Sequence, residues 1–286
     1  RHGAWDWGDW GDHRDMRLFY AAWHYMALDA AARMADLLGK TQDAYLFRQK
    51  MTQVKRGYNA CWTGKAYRHP TFTGDTDDRV QALAIISGIA DTDKYPAISK
   101  LLRTQKHASP YMEKYVMESL FQMGDGEYAM ERAHERYHHM VMDSLHTTLY
   151  EGWLAGANGF GGGTTNHAWS GGPLTVIAQY LMGVSVREPG WKVFSVCPVP
   201  VRFKKADISI PTIRGMVKTA FQLGETTDVY SITVPRDTHA YYYLPCQDAA
   251  QAKGAEAYIC TDSKVQKEGR LCLLLPAGNY KFKVRK

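Results

Sequence analysis

Leu18, Ala22, Tyr25, Leu28, Ala32 and Ala35 recur at three- and four-residue steps, alanine is frequent among them, and Gly39 follows as a stop. That spacing predicts a helix over Asp15 to Leu38. A second helix is predicted from Thr41 to about Trp62, and the short link Gly39-Lys40-Thr41 folds the two into an antiparallel hairpin. The same texture continues through Thr76 to about Ala90, Tyr95 to about Gln105, Pro110 to Met123 with Pro110 in the first turn, Glu127 to Met142, and a last apolar stretch from about His167 to Met182. Near Val186 to Gly190 the pattern changes. Trp191 to Phe194, Asp228 to Val234, Ala240 to Leu244, Leu271 to Leu275 and Tyr280 to Val284 are short β-branched or aromatic runs set off by Pro, Gly and Asp. Such runs predict strands of an antiparallel sandwich.

Composition adds bounds. With 286 residues, 45 % of them apolar, the chain can bury one large core and a smaller one. No stretch is apolar for long enough to span a membrane, and no membrane span is expected. Arg1-His2-Gly3 shows no initiator Met and no signal-peptide pattern. Lys and Arg outnumber Asp and Glu 35 to 29, and the excess sits wholly after residue 186, where the count is 16 to 9 against 19 to 20 before it. In that part the cations alternate with apolar residues, as in Lys281-Phe282-Lys283-Val284-Arg285, which is how a half-exposed strand reads. Protection of strand edges accounts for them, and no nucleic-acid partner is expected. The five cysteines, Cys61, Cys197, Cys246, Cys260 and Cys272, have no metal-ligand spacing and read as buried free thiols.

The candidate chemistry gathers around His146 to Trp153 and the segment Asn166-His167-Ala168-Trp169-Ser170. Glu151 stands between Tyr150 and Trp153, a setting expected to desolvate its carboxyl and raise its pKa toward that of a base working near neutral pH. A helix-capping surface carboxylate would read the same way. The run Gly156 to Gly163 lacks the Lys-Ser/Thr ending of a phosphate cradle and is read as a loop beside a pocket. Trp5-Asp6-Trp7-Gly8-Asp9-Trp10-Gly11-Asp12 mixes three indoles with carboxylates. Aromatic faces stack on the C–H face of sugars while carboxylates accept hydroxyl protons, so this mixture suits a carbohydrate cleft.

Taken together, Gly8-Asp9-Trp10, Gln81-Ala82-Leu83-Ala84, Ser109-Pro110-Tyr111, Thr147-Thr148-Leu149-Tyr150-Glu151, Asn166-His167-Ala168 and Thr212-Ile213-Arg214-Gly215 resemble, in that order, the C-terminal part of the bacterial α-L-rhamnosidases of glycoside hydrolase family 78. The resemblance implies an α+β multidomain fold, with 1–187 a portion of an (α/α)6 barrel built of helix hairpins and 188–286 an antiparallel β-sandwich. Seven helical segments are fewer than the two rings of six in such a barrel, so its first half is expected outside this sequence, with helix faces left apolar and uncovered. The resemblance further implies hydrolysis of terminal α-L-rhamnose from an oligosaccharide, polysaccharide or glycoside with inversion, and no cofactor. Glu151 would be the general base, with Asp9, Trp10, Tyr150 and His167 binding the substrate. Where the family carries Trp before the glutamate, this chain has Tyr150. The family's general acid is a Glu in an Asp-rich segment that does not occur here, so the acid is expected from a missing N-terminal part of the same polypeptide, and a periplasmic or secreted location is implied. Two rival readings are a non-catalytic glycan-binding remnant and, from His134-Glu135-Arg136-Tyr137-His138, a zinc metallopeptidase using His134, Glu135 and His138.

Overall fold

The computed structural model describes residues 7–156 and 163–286, which divide into two compact units, 1–173 and 174–286. Trp5, Asp6 and most of the glycine run lie outside the described residues.

The first unit is helical. α1 (Met16–Leu37) starts on Asp15, whose carboxylate accepts from Leu18 N–H, and buries the stripe Leu18, Ala22, Leu28, Ala32 and Ala35. Gly39 ends it at φ +68°, a left-handed conformation that costs glycine little. α2 (Thr41–Asn59) folds back on α1. α3 (Asp78–Ile86) is capped by Asp77 and buried from Asp78 to Ile85. α4 (Tyr95–Leu102) follows it. α5 (Pro110–Gln122) is capped by Ser109, and α6 (Gly126–Val141) packs on it. α1 contacts α3 and α3 contacts α5, while α2, α4 and α6 each lie against the helix before them in sequence. This is the pairing of successive hairpins. The end of α1 and the start of α2 carry exposed apolar side chains, Met34, Leu37, Leu38, Tyr45 and Leu46.

The boundary between the units falls within the last helical stretch, α7 (Gly172–Val176), which runs into a π-helical turn, Ile177–Leu181. Ile177 and Met182 join the core of the second unit. Its strands are β1 (Val184–Val186), β2 (Val193–Val196), β3 (Lys205–Thr212), β4 (Gly215–Gln222), β5 (Thr227–Val234), β6 (His239–Leu244), β7 (Ala252–Lys253), β8 (Leu271–Leu275) and β9 (Gly278–Arg285). They form a four-stranded sheet, β1-β2-β6-β8, and a five-stranded sheet, β3-β4-β5-β9-β7. Every ladder is antiparallel except β2 with β6. Phe194, Tyr242, Leu244 and Leu273 from one sheet share a core with Phe221, Tyr230, Ile232 and Phe282 from the other. β3 and β4 are strands that the run-based reading passed over. β3 alternates along Lys205 to Thr212, exposed then half-buried, and offers no continuous apolar run. Thr212-Ile213-Arg214-Gly215 is the tight turn joining the two. Thr212 pairs with Gly215, the Thr212 hydroxyl accepts from Arg214 N–H, and Gly215 sits at φ +115°.

Candidate active site

The starts of α3 and α5 and three loop segments of the first unit build the site. Arg79, in the first turn of α3, is wholly buried, and all of its donor atoms are engaged. Its Nε donates to Asp77 Oδ1 at 2.7 Å, Nη1 to Asp9 Oδ2 at 3.2 Å and Trp10 O at 3.1 Å, and Nη2 to Asp12 O at 2.8 Å and His13 O at 3.0 Å. One guanidinium thus fixes the backbone of the loop that carries Trp10. Asp9, wholly buried, turns its other acceptors to the N-cap of α5, taking the Ser109 hydroxyl on Oδ1 and Ser109 N–H on Oδ2. Burial raises its pKa against the pull of Arg79. Gly8 precedes it where any side chain would strike Phe19, 2.6 Å from the Cβ position.

The second element is a short ladder between the two motif segments. Glu151 N–H donates to Thr164 O at 2.9 Å, and His167 N–H donates to Leu149 O at 2.9 Å. The side chains of Thr148 and Ser170 donate to the backbone carbonyls of Thr165 and Tyr150, and Trp169 Nε1 donates to Glu151 O at 2.9 Å. Local order in a segment with no regular secondary structure therefore comes from these cross-links.

On this ladder the Glu151 carboxylate meets Trp10, 141 positions away. Trp10 Nε1 donates to Glu151 Oε1 at 2.9 Å, and the Thr164 hydroxyl donates to Oε2. The expected upward shift of Glu151 is not what these surroundings produce. Its pKa is lowered, chiefly by the Thr164 hydroxyl, against desolvation, with help from the Trp10 indole. Donors aimed at a carboxylate stabilise its charged form, and here they outweigh burial. The carboxyl is thus ionised at neutral pH.

Around it stands an aromatic wall. The His167 imidazole stacks on Trp169 with centroids 4.1 Å apart, Trp169 stacks on Trp7 at 5.9 Å and on Tyr111 at 5.3 Å, and Trp7 meets Trp10 edge-on at 5.7 Å. Glu151, Trp10 and His167 are therefore brought together. Asp9 and Tyr150 are not presented to the same space. The expectation that Asp9 accepts sugar hydroxyl protons meets a carboxylate shielded from solvent and bonded to Arg79 and Ser109. Tyr150 is 3 % exposed, packs with Tyr137 and Met140, and gives its hydroxyl to Asp143, which also binds His146 Nδ1 at 2.9 Å. Trp153 likewise faces inward, donating Nε1 to Ala108 O at 2.9 Å beneath the Arg136 guanidinium.

Arg79 and Thr164 escaped the sequence reading, and Ser109 and Tyr111 entered it only as part of a motif, without a role in the site. Arg79 left one signal, a cation directly after two aspartates and shortly before the apolar run Ala82 to Ile86. Thr164, beside the glycine run, left none. The metallopeptidase reading finds poor support in the geometry. His134 and His138 have rings 5.1 Å apart on an exposed face of α6, but Glu135 is paired with Lys106, and among the described residues no three His, Cys, Asp or Glu side chains converge to hold an ion.

The description "bacterial alpha-L-rhamnosidase 6 hairpin glycosidase domain" matches residues 1–181, and "bacterial alpha-L-rhamnosidase C-terminal domain" matches 183–258. No curated protein matches the chain. Among solved structures, the α-L-rhamnosidase of Dictyoglumus thermophilum is similar at 22 % identity and TM-score 0.81, over 99 % of this chain and 34 % of its own. The Streptomyces avermitilis α-L-rhamnosidase, solved with L-rhamnose, is similar at 19 % identity and TM-score 0.77, over 98 % of this chain and 28 % of its own. The Aspergillus terreus enzyme is similar at 19 % identity and TM-score 0.76, over 100 % of this chain and 34 % of its own. These likenesses establish the fold, and the chain spans about a third of the length of the structures it matches.

Proposed function

The chain belongs to the bacterial α-L-rhamnosidase six-hairpin glycosidase family, and we propose that it carries the base side of an inverting α-L-rhamnosidase site. Glu151 takes a proton from water as the oxygen attacks the anomeric carbon of a terminal α-L-rhamnosyl residue. The glycosidic bond breaks, and the leaving oxygen is protonated by a general acid outside the described residues. Inverting enzymes hold the two carboxyl groups roughly 6.5–9.5 Å apart to admit that water. The carboxylates packed behind the site, Asp9, Asp77, Asp78 and Glu113, are all buried in ion pairs with arginines and do not supply the acid. Trp10 offers a ring face to the sugar, and His167, able to donate at one nitrogen and accept at the other, suits a pair of hydroxyls. Asp9 and Tyr150 support the pocket from behind.

The observation that carries this reading is the Glu151 carboxylate, ionised and aimed by the Trp10 indole within a wall of aromatic rings. The test uses the protein that carries this chain and its Glu151→Gln variant, which keeps shape and hydrogen bonding while removing proton acceptance. Turnover of p-nitrophenyl α-L-rhamnoside should fall on the order of 10²–10⁴-fold. Quenching of tryptophan fluorescence by L-rhamnose should persist. Wild-type turnover by the variant would remove Glu151 from the mechanism, and L-rhamnose binding without turnover in the wild type would favour a glycan-binding protein.

A further inference from the structure

The cysteines, scattered in sequence, are not all scattered in space. One edge of β8 pairs with β6, and the other meets the segment after Tyr258, where Ile259 and Leu273 form an antiparallel bridge and Cys260 N–H donates to Cys272 O at 2.9 Å. One step along from that bridge, Cys260 and Cys272 stand directly opposite each other, so their side chains leave the ladder on the same face. Opposed residues of a hydrogen-bonded antiparallel pair have Cα atoms about 5.5 Å apart. A disulfide accepts roughly 4.4–6.8 Å.

The chain between them is also folded down. Gln266 Nε2 donates to Cys260 O at 2.8 Å, Tyr243 donates its hydroxyl to Val265 O at 2.8 Å, and the Lys267 ammonium lies 4.6 Å from the centre of the Tyr243 ring. The two thiols differ in access. Cys272 is 1 % exposed and burial pushes its thiol up to about 12, whereas Cys260 is half-buried and open to reagents.

We propose that Cys260 and Cys272 are an oxidation site that forms an intramolecular disulfide by exchange with a small-molecule disulfide. The Cys260 thiolate attacks one sulfur of oxidised glutathione and expels a glutathione thiol, leaving a mixed disulfide. Cys272 then gives up its proton and attacks the Cys260 sulfur, expelling the second glutathione. Two protein thiols are oxidised and one small disulfide is reduced to two thiols. The bond would clip the 260–272 loop to the sheet edge at β8.

The test treats the folded chain with oxidised glutathione, traps remaining thiols with iodoacetamide, and maps peptides by mass spectrometry without reduction. The expected result is a Cys260–Cys272 linked peptide and a fall from five alkylated cysteines to three. In Cys272→Ser, Cys260 should halt at the glutathione adduct. A wild-type chain that holds a stable adduct on Cys260 with no linked peptide would overturn the proposal. So would five unmodified thiols in the folded chain, or a link that forms only in urea.

Discussion

Arg79→Lys isolates what the buried guanidinium does. The substitution keeps one positive charge in a site lined by Asp9 and Asp77, but replaces a planar fork of five donors with one ammonium carrying three. Arg79 spans two carboxylates and three carbonyls drawn from residues 9, 10, 12, 13 and 77, and a single ammonium cannot reach all of them. At least one charge-assisted bond and two bonds to carbonyls should be lost. With ~1.5–3 kcal/mol for a hydrogen bond to a charged group and ~1 kcal/mol for a neutral one, the cost is about 3–5 kcal/mol, the range for a broken buried ion pair. For a unit of this size each kcal/mol lowers Tm by ~2–4 °C, so a fall of roughly 6–20 °C is expected. Urea unfolding followed by tryptophan fluorescence is the suitable assay, because seven of the eight tryptophans precede residue 174 and report on the first unit. L-rhamnose quenching should weaken in parallel, since the same guanidinium holds the loop bearing Trp10. A loss below ~1 kcal/mol with an unchanged denaturant slope would refute the clamp.

Three further outcomes follow from the same contacts. Trp10→Phe and Thr164→Val each remove a donor from the Glu151 carboxylate, so its pKa should rise toward the ordinary value; activity, which needs the ionised form, should then fail at a higher pH on the acid side than in the wild type, as pH–rate profiles will show. Asp143 is held well below the usual carboxylate range by the Tyr150 hydroxyl and His146. Its contribution to stability is therefore present above the unfolded value and lost as pH falls below it, and Asp143→Asn should lower Tm at pH 7 while flattening the acid decline. Phe282→Ala, which empties a fully buried position between the two sheets, should cost ~3–5 kcal/mol in the second unit, read by calorimetry as a drop of one transition with the other unmoved.

Local spacing determined much about this protein. The three- and four-residue steps of α1, the Pro110 start of α5 and the change of texture near Val186 to Gly190 depend on near neighbours in the chain, so they are visible without coordinates. Glu151, Trp10 and His167 were legible for another reason: their residue types are unusual where they stand, and their flanking motifs keep the order seen in a known family. What only the tertiary structure decided are partnerships across long separations. Trp10 binds Glu151 across 141 positions, and Asp9 binds Ser109 across 100. No spacing rule reports such pairs. Flanking aromatics suggest that Glu151 is desolvated and its pKa raised, whereas the Thr164 hydroxyl that lowers it arrives from the far side of a glycine run. Tyr150 and Glu151 are adjacent in sequence yet end in different surroundings, one in a packed cluster with Tyr137 and Met140 and one on an indole N–H. β3 and β4 show the same limit from the other side: their alternation was present in the sequence, but a strand half of whose residues face solvent is recognised with confidence only when its partner across the ladder is in place.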